Sequence, residues 1–441
     1  MIEALINRTA SGSWWLAGAS LARTLLADAA AGLGPADVDG LVAADIRIAG
    51  TVIDRIAPAG SAAASGEPMV ALDRGMVLPC FADLHTHLDK GHIWPRRRNP
   101  DGTFIGALEN VAADRAANWT AEDVRRRMDF ALRTAYAHGT SLIRTHLDSI
   151  APQHRISWPV FAGLRDAWAG RIDLQASALF PINLALDDAF FADIIAHVAN
   201  ARGILGAVTY MIPELDPGLD RMFTAAAERG LDLDFHVDET ADPAARSLGA
   251  IAEAAIRHQF AGKITVGHCC SLARQEASEA DRTLDLVARA GIVVVSLPMC
   301  NMYLQDRQAG RTPRWRGITL LHEMAARGIP MAVASDNTRD PFYAYGDLDM
   351  LEVFREAVRI AHLDHPFADW PRAVATTPAD VMRRPDRGRI AVGGSADLVL
   401  FRARRWSELL SRPQSDRTVL RAGKPIERDL PDYRELDDLV G

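Results

Sequence analysis

Cysteine is scarce in this chain: Cys80, Cys269, Cys270 and Cys300 are the only four in 441 residues. So few thiols in so long a chain exclude a disulfide-built scaffold, and they read as small buried hydrophobes. Basic charge is short as well. Lys and Arg number 49 against 57 Asp and Glu, a net charge of −8. A phosphate-backbone partner needs a basic face that this balance does not supply, so no nucleic-acid partner is expected. The triplet Arg96-Arg97-Arg98 is too short to count as a basic patch. There is no run of about 18 apolar residues and no charged-then-apolar leader with a cleavage site. The expectation is therefore a cytoplasmic protein with no membrane partner. No internal repeat or low-complexity linker breaks the chain.

What is present is a large apolar fraction, 49%, enough to bury a sizeable core. Its organising stretch is Met76 to Lys90, an apolar run that ends in His85-Thr86-His87. Further strand-like segments follow at 141–146, 173–180, 204–210, 231–236, 264–268, 292–297 and 330–336, with helical segments between them. One of these helices opens at Thr120 with Glu122 and Asp123 in its first turn and is ended by Gly139. Eight strands alternating with helices predict a closed (β/α)8 barrel of the TIM type. Outside it, 41–53 reads as a hairpin, and 390–401 and 418–425 as strands that pair with it. That gives a small flanking β domain built from both chain ends. The expected division is 1–80, 81–385 and 386–441. The Ser20–Ala31 stretch has helical spacing, and residues 1–40 are otherwise an unplaced extension.

Active sites of such barrels lie where strands end at their carboxyl edge. Polar residues at those ends are His85 and His87 on the first strand, His236 on the fifth, His268 on the sixth and Asp336 on the eighth. His85 and His87 share a face because strand side chains repeat with period two. Three imidazoles with a carboxylate suit one divalent ion, Zn or Fe, with a position open for water. Glu239, three residues after His236, stands where it could carry protons beside such a water. His146 and Asp148 also follow a strand and are candidates for the pocket wall. Lys90 is ambiguous. The fourth strand lacks the lysine that bridges two ions in some barrels, which favours a single metal.

Taken together, Leu84-His85-Thr86-His87-Leu88-Asp89, Arg144-Thr145-His146, His236-Val237-Asp238-Glu239, His268, Ser335-Asp336-Asn337 with Asp340-Pro341-Phe342-Tyr343, and Gly394-Ser395-Ala396-Asp397-Leu398 resemble the amidohydrolase superfamily. Within it they are most similar to the cytosine deaminase family, over about residues 40 to 425. The resemblance implies that His85, His87, His236 and Asp336 bind the metal, that Glu239 shuttles protons, and that His268 orients the attacking water. It also implies a homo-oligomer. Two positions depart from the family pattern. Ile182 stands where a glutamine reads the pyrimidine edge, and Asn337 replaces a second aspartate. An alkyl group in place of an amide removes a donor and an acceptor. The expected substrate is thus a related amino-substituted nitrogen heterocycle, met by Ile182, Asn337, Lys90, His146 and Phe342, with Asn183 and Gln305 as further pocket candidates. Hydrolysis of a cyclic amide, or of an N-alkylamino substituent on a triazine-like ring, is the alternative. A ligand-binding homologue without turnover is a third reading.

Overall fold

The computed structural model describes residues 6, 12–27 and 32–441. These form two compact units: one runs to Asp83 and adds Thr134–Leu142 and Asp349–Leu430, the other comprises Leu84–Arg133, Ile143–Leu348 and Pro431–Gly441.

The first unit is organised by one mixed sheet. Strand β1 (Ser13–Ala22) pairs antiparallel with β2 (Leu41–Ala49), which turns through Gly50 into β3 (Val52–Pro58). Gly50 takes φ +60°, a left-handed turn conformation in which a Cβ is strained. β1 also pairs parallel with β4 (Met69–Ala71) and β5 (Met76–Pro79). The expected helix over Ser20–Ala31 is not formed. Ser20, Leu21 and Ala22 pair with Ala43, Val42 and Leu41, and Arg23–Leu25 makes a single 3₁₀ turn; 28–31 lie outside the described residues. Paired backbone across a buried face outweighed a helical spacing carried mostly by alanine. Trp14, Leu16, Leu21, Ile46, Ile48 and Val77 from the N-terminal strands share a core with Leu398 and Leu420.

Eight further strands follow in the chain. β6 (Phe81–Thr86), β7 (Thr140–Asp148) and β8 (Asp173–Leu179) make one three-stranded arc. β9 (Leu205–Val208), β10 (Leu233–Val237), β11 (Ile264–His268), β12 (Val293–Ser296) and β13 (Met331–Val333) make a five-stranded arc, parallel throughout. Parallel bridges join Ser177 to Ile204 and Pro181 to Val208 between the arcs, and Thr86 to Asp336 at their other ends. Most residues of these strands are buried, as expected for strands covered on both faces. The helix expected after Thr120 runs Ala121–His138, and Gly139 ends it at φ +96°.

The carboxyl-terminal strands β14 (Leu398–Leu400), β15 (Thr418–Arg421) and β16 (Lys424–Pro425) enter the first unit's sheet through β5, while the stretch just before β14 bonds to the β2–β3 hairpin, Ile53 N donating to Gly394 O and Ala396 N to Thr51 O, each at 2.9 Å. The division of the chain also differs from the expected one at 349–385, which belongs to the first unit. There Arg417, buried, donates to both oxygens of Asp349 at 2.7 and 2.6 Å. The last eleven residues belong instead to the second unit, where Leu436 and Val440 pack on Phe130 and Arg126 grips Asp438 at 2.6 Å. Among the described residues no helix is long and apolar enough to cross a membrane.

Candidate metal centre and active-site cavity

The end of β6 is zipped to the segment after β13. Asp336 N donates to His85 O at 2.8 Å, and Asp336 O accepts from Thr86 Oγ1 at 2.8 Å and His87 N at 3.3 Å. Asp336 and His268 both take positive φ, 62° and 72°, where the chain leaves its strand and turns. Such backbone is rare for residues with a Cβ and tends to cluster at functional sites.

The ring nitrogens then converge. His85 Nε2 lies 3.1 Å from His236 Nε2, and His236 Nε2 lies 3.3 Å from His87 Nε2. Asp336 Oδ1 is 3.2 Å from His87 Nε2 and 3.6 Å from His85 Nε2. Four donors placed tetrahedrally about an ion at roughly 2.05 Å would stand about 3.3 Å apart. The spacing therefore fits one tetrahedrally held divalent cation. Burial, with positive neighbours such as Lys90 adding to it, holds the imidazoles of His85, His87 and His236 well below the ordinary histidine value. Neutral imidazoles are what a metal binds. Room for His85 comes from Gly267, whose register partner is His236. A Cβ there would stand 2.7 Å from His85 Cε1.

Glu239 follows β10 on a loop that Asp238 anchors, since Asp238 accepts from the backbone of Ser247 and Leu248, both at 3.0 Å. Burial and then the charge of Asp336 push the Glu239 carboxyl well above its usual range. Asn301 Nδ2 lies 3.0 Å from both Glu239 Oε1 and His268 Nδ1. His268 itself is held neutral, at about 3, by burial.

A cavity of about 570 Å³ opens over these groups. His87, His236, His268, Asp336 and Glu239 stand on its wall, together with Lys90, Asn337, Phe342 and Gln305. Phe104, Ile105, Leu108, Phe180, Val208 and Tyr210 supply much of the remaining, apolar wall. Lys90 Nζ sits 3.0 Å from Asp148 Oδ1 and 5.2 Å over the Phe342 ring, and Arg115 grips the other oxygen of Asp148 at 2.7 Å. Lys90 is thus tied into an ion-pair network. Asn337 donates to Asp340 at 2.7 Å.

Two expected substrate contacts do not reach this cavity. Ile182 is fully buried in the 3₁₀ turn Ile182–Leu186, pressed against Gly218, where a Cβ would meet Ile182 Cγ1 at 2.9 Å. The preceding Phe180 and Pro181 face the cavity instead. His146 is fully buried behind the ligands, its ring centroid 3.9 Å from that of His85. Asn301 and Arg115 were not foreseen from sequence. The only signal for Asn301 is a lone amide in the apolar run Met299-Cys300-Asn301-Met302 after β12.

Eight strands thus gather at their ends a donor set that a divalent ion can use. The match to the amidohydrolase family model over residues 184–426, and a close relative, show that the chain belongs to the amidohydrolase family. That relative is the pterin deaminase of Rhizobium rhizogenes, 65% identical over 403 residues, which are 91% of this chain and 92% of that protein. The fold is similar to that of 5-methylcytosine deaminase from Klebsiella pneumoniae, with a TM-score of 0.78 at 21% identity over 95% of this chain and 98% of that one. It is also similar to that of N-isopropylammelide isopropylaminohydrolase from Burkholderia multivorans, with a TM-score of 0.74 at 23% identity over 94% and 98%.

Proposed function

We propose that the protein is a metal-dependent hydrolytic deaminase whose substrate is a pterin, carried by one mononuclear site of His85, His87, His236 and Asp336. The observation that supports the ligand set most directly is the spacing of their donor atoms, 3.1 to 3.6 Å around one point at a cavity wall. The substrate reading draws on the 65% identity to a pterin deaminase over nearly the whole chain. A cavity of about 570 Å³ with largely apolar walls also has room for a two-ring heterocycle, more than a pyrimidine needs. We further read the two strand arcs as one closed eight-stranded barrel, with the Thr86–Asp336 bridge as the closing contact, and the first unit as the expected small β domain.

Hydrolysis replaces the exocyclic amine by a carbonyl: the oxygen of water bonds to the ring carbon, the carbon–nitrogen bond breaks, and ammonia leaves. A Zn or Fe ion supplies, when bound, the Lewis acidity that makes water nucleophilic at neutral pH. Glu239, its carboxyl raised by burial, carries one proton of the attacking water to the ring nitrogen and the second to the departing amine, and ends in the state in which it began. His268, kept neutral, steadies the oxygen as charge grows on it. The apolar walls exclude competing water around the ring.

The test is ammonia release by metal-quantified protein on pterin, cytosine, 5-methylcytosine, guanine and N-isopropylammelide. Turnover on pterin ahead of the rest is expected, and Glu239→Gln should lower kcat by about 10²- to 10⁴-fold with metal retained. Silence on all five with metal bound overturns the reading. Isopropylamine released from N-isopropylammelide would favour the N-alkylamino alternative.

A further inference from the structure

Asn301 lies between two groups to which the proposed chemistry gives different tasks. It is almost fully buried, on the short helix Pro298–Leu304, and its backbone is held on both sides: its N–H donates to Leu297 O and its carbonyl accepts from Gln305 N, each at 2.9 Å. Gln305, the residue that follows this helix, holds the Glu239 backbone, donating from Nε2 to Glu239 O at 3.2 Å. The Asn301 amide nitrogen stands 3.0 Å from Glu239 Oε1 and 3.0 Å from His268 Nδ1. An amide NH₂ carries two hydrogens and can serve two acceptors at once. An amide oxygen turned to the same place would face the carboxylate oxygen and be repelled by it.

We propose that Asn301 is a positioning residue that sets the ring proton of His268 on Nε2 and ties down one carboxylate oxygen of Glu239, leaving the other for proton transfer. If Nδ1 accepts from Asn301, the neutral ring must carry its hydrogen on Nε2. His268 Nε2 is buried and has no hydrogen-bond partner within the protein. It is thereby a donor in waiting, and the developing oxygen of the substrate is the acceptor it would serve. The direct approach of His268 Nδ1 to Glu239 Oε1, at 3.4 Å, is longer than either contact of Asn301. The consequence for turnover rests on the deaminase reading. The assignment of the tautomer does not.

The experiment uses the zinc-loaded full chain, labelled with ring-¹⁵N histidine. Wild type, Asn301→Asp and Asn301→Leu are compared, and His268→Gln identifies the signal of that ring. Wild-type His268 is expected to show the Nε2–H pattern. In Asn301→Asp, which keeps the size but offers an acceptor, the proton should move to Nδ1. Both Asn301 variants should lose about 10²-fold in kcat, the scale of one transition-state donor, with KM on pterin and zinc content little changed. An Nδ1–H pattern in wild type overturns the proposal, as does an Asn301→Asp protein that keeps both the wild-type tautomer and the wild-type kcat. Should Glu239→Gln and His268→Gln also retain full activity, the deaminase reading is what fails, and the tautomer is judged by the spectrum alone.

Discussion

Asp234 and His236 sit two residues apart on β10, facing the same way, yet their surroundings differ in kind. At the level of His236, three buried neutral imidazoles and the Asp336 carboxylate crowd around one point, with ring nitrogens 3.1 and 3.3 Å apart. At the level of Asp234 the layer supplies its own countercharge. Arg144 donates to Asp234 Oδ2 at 2.9 Å, to Thr265 Oγ1 at 3.1 Å and to Gln175 Oε1 at 3.1 Å. Buried titratable groups that bring their own partner are structure. Buried donors that converge with room for a cation are arranged as an ion needs them.

The strongest way to break this comparison is to remove a donor from the upper layer. His236→Ala should lose the ion and fall to background turnover, beyond the roughly 10³-fold cost of deleting a single electrostatic donor. Metal analysis alongside the ammonia assay checks this, and full activity with a stoichiometric ion would make the upper layer structural as well. Chelation of the wild-type protein should reproduce the loss, and added zinc or iron should restore it.

A finer test leaves every ligand in place. In Gly267→Ala the new Cβ meets His85 Cε1 and Nδ1 at 2.7 and 2.9 Å, so ring or strand must shift. The expected outcome is metal affinity about 10- to 100-fold weaker, the scale seen when a ligand's orientation is disturbed, read in chelator-buffered titrations. Unchanged affinity would mean that the ring position is not set by that contact.

The lower layer predicts a stability effect instead. Burial raises the Asp234 carboxyl from 3.8 to about 7 against the opposing pull of Arg144. A raised folded-state value means the fold holds the proton more tightly than the unfolded chain does. The stability this adds is complete below pH of about 4 and is lost as pH rises through about 7. Asp234→Asn should remove that dependence between pH 5 and 8 in urea unfolding. An unaltered pH slope would refute the assignment.

The smallest effect concerns substrate choice. Ile182→Gln restores the residue expected of a cytosine deaminase, but it places an amide in a packed apolar site against Gly218. It should cost about 1 to 3 kcal/mol of stability and confer no cytosine turnover. Thermal unfolding and the ammonia assay check both, and a gain of cytosine activity would show that the residue reaches the ring.

Much of this was legible in the chain before any fold was known. Period-two spacing makes His85 and His87 share a face whatever surrounds them, and the alternation of buried strands with capped helices required a parallel sheet covered on both sides. His236, Glu239, His268 and Asp336 were readable because each falls at or just beyond the end of such a strand. Local pattern decides these things because it reports the backbone period directly. The tertiary structure alone decided that Ile182 faces Gly218, that His146 lies behind the ligands, and that Asn301 reaches between Glu239 and His268. Those outcomes depend on how a turn leaves its strand and what packs over it. Interactions between residues 62 and 33 positions apart are set by the closing of the fold, and no local period records them.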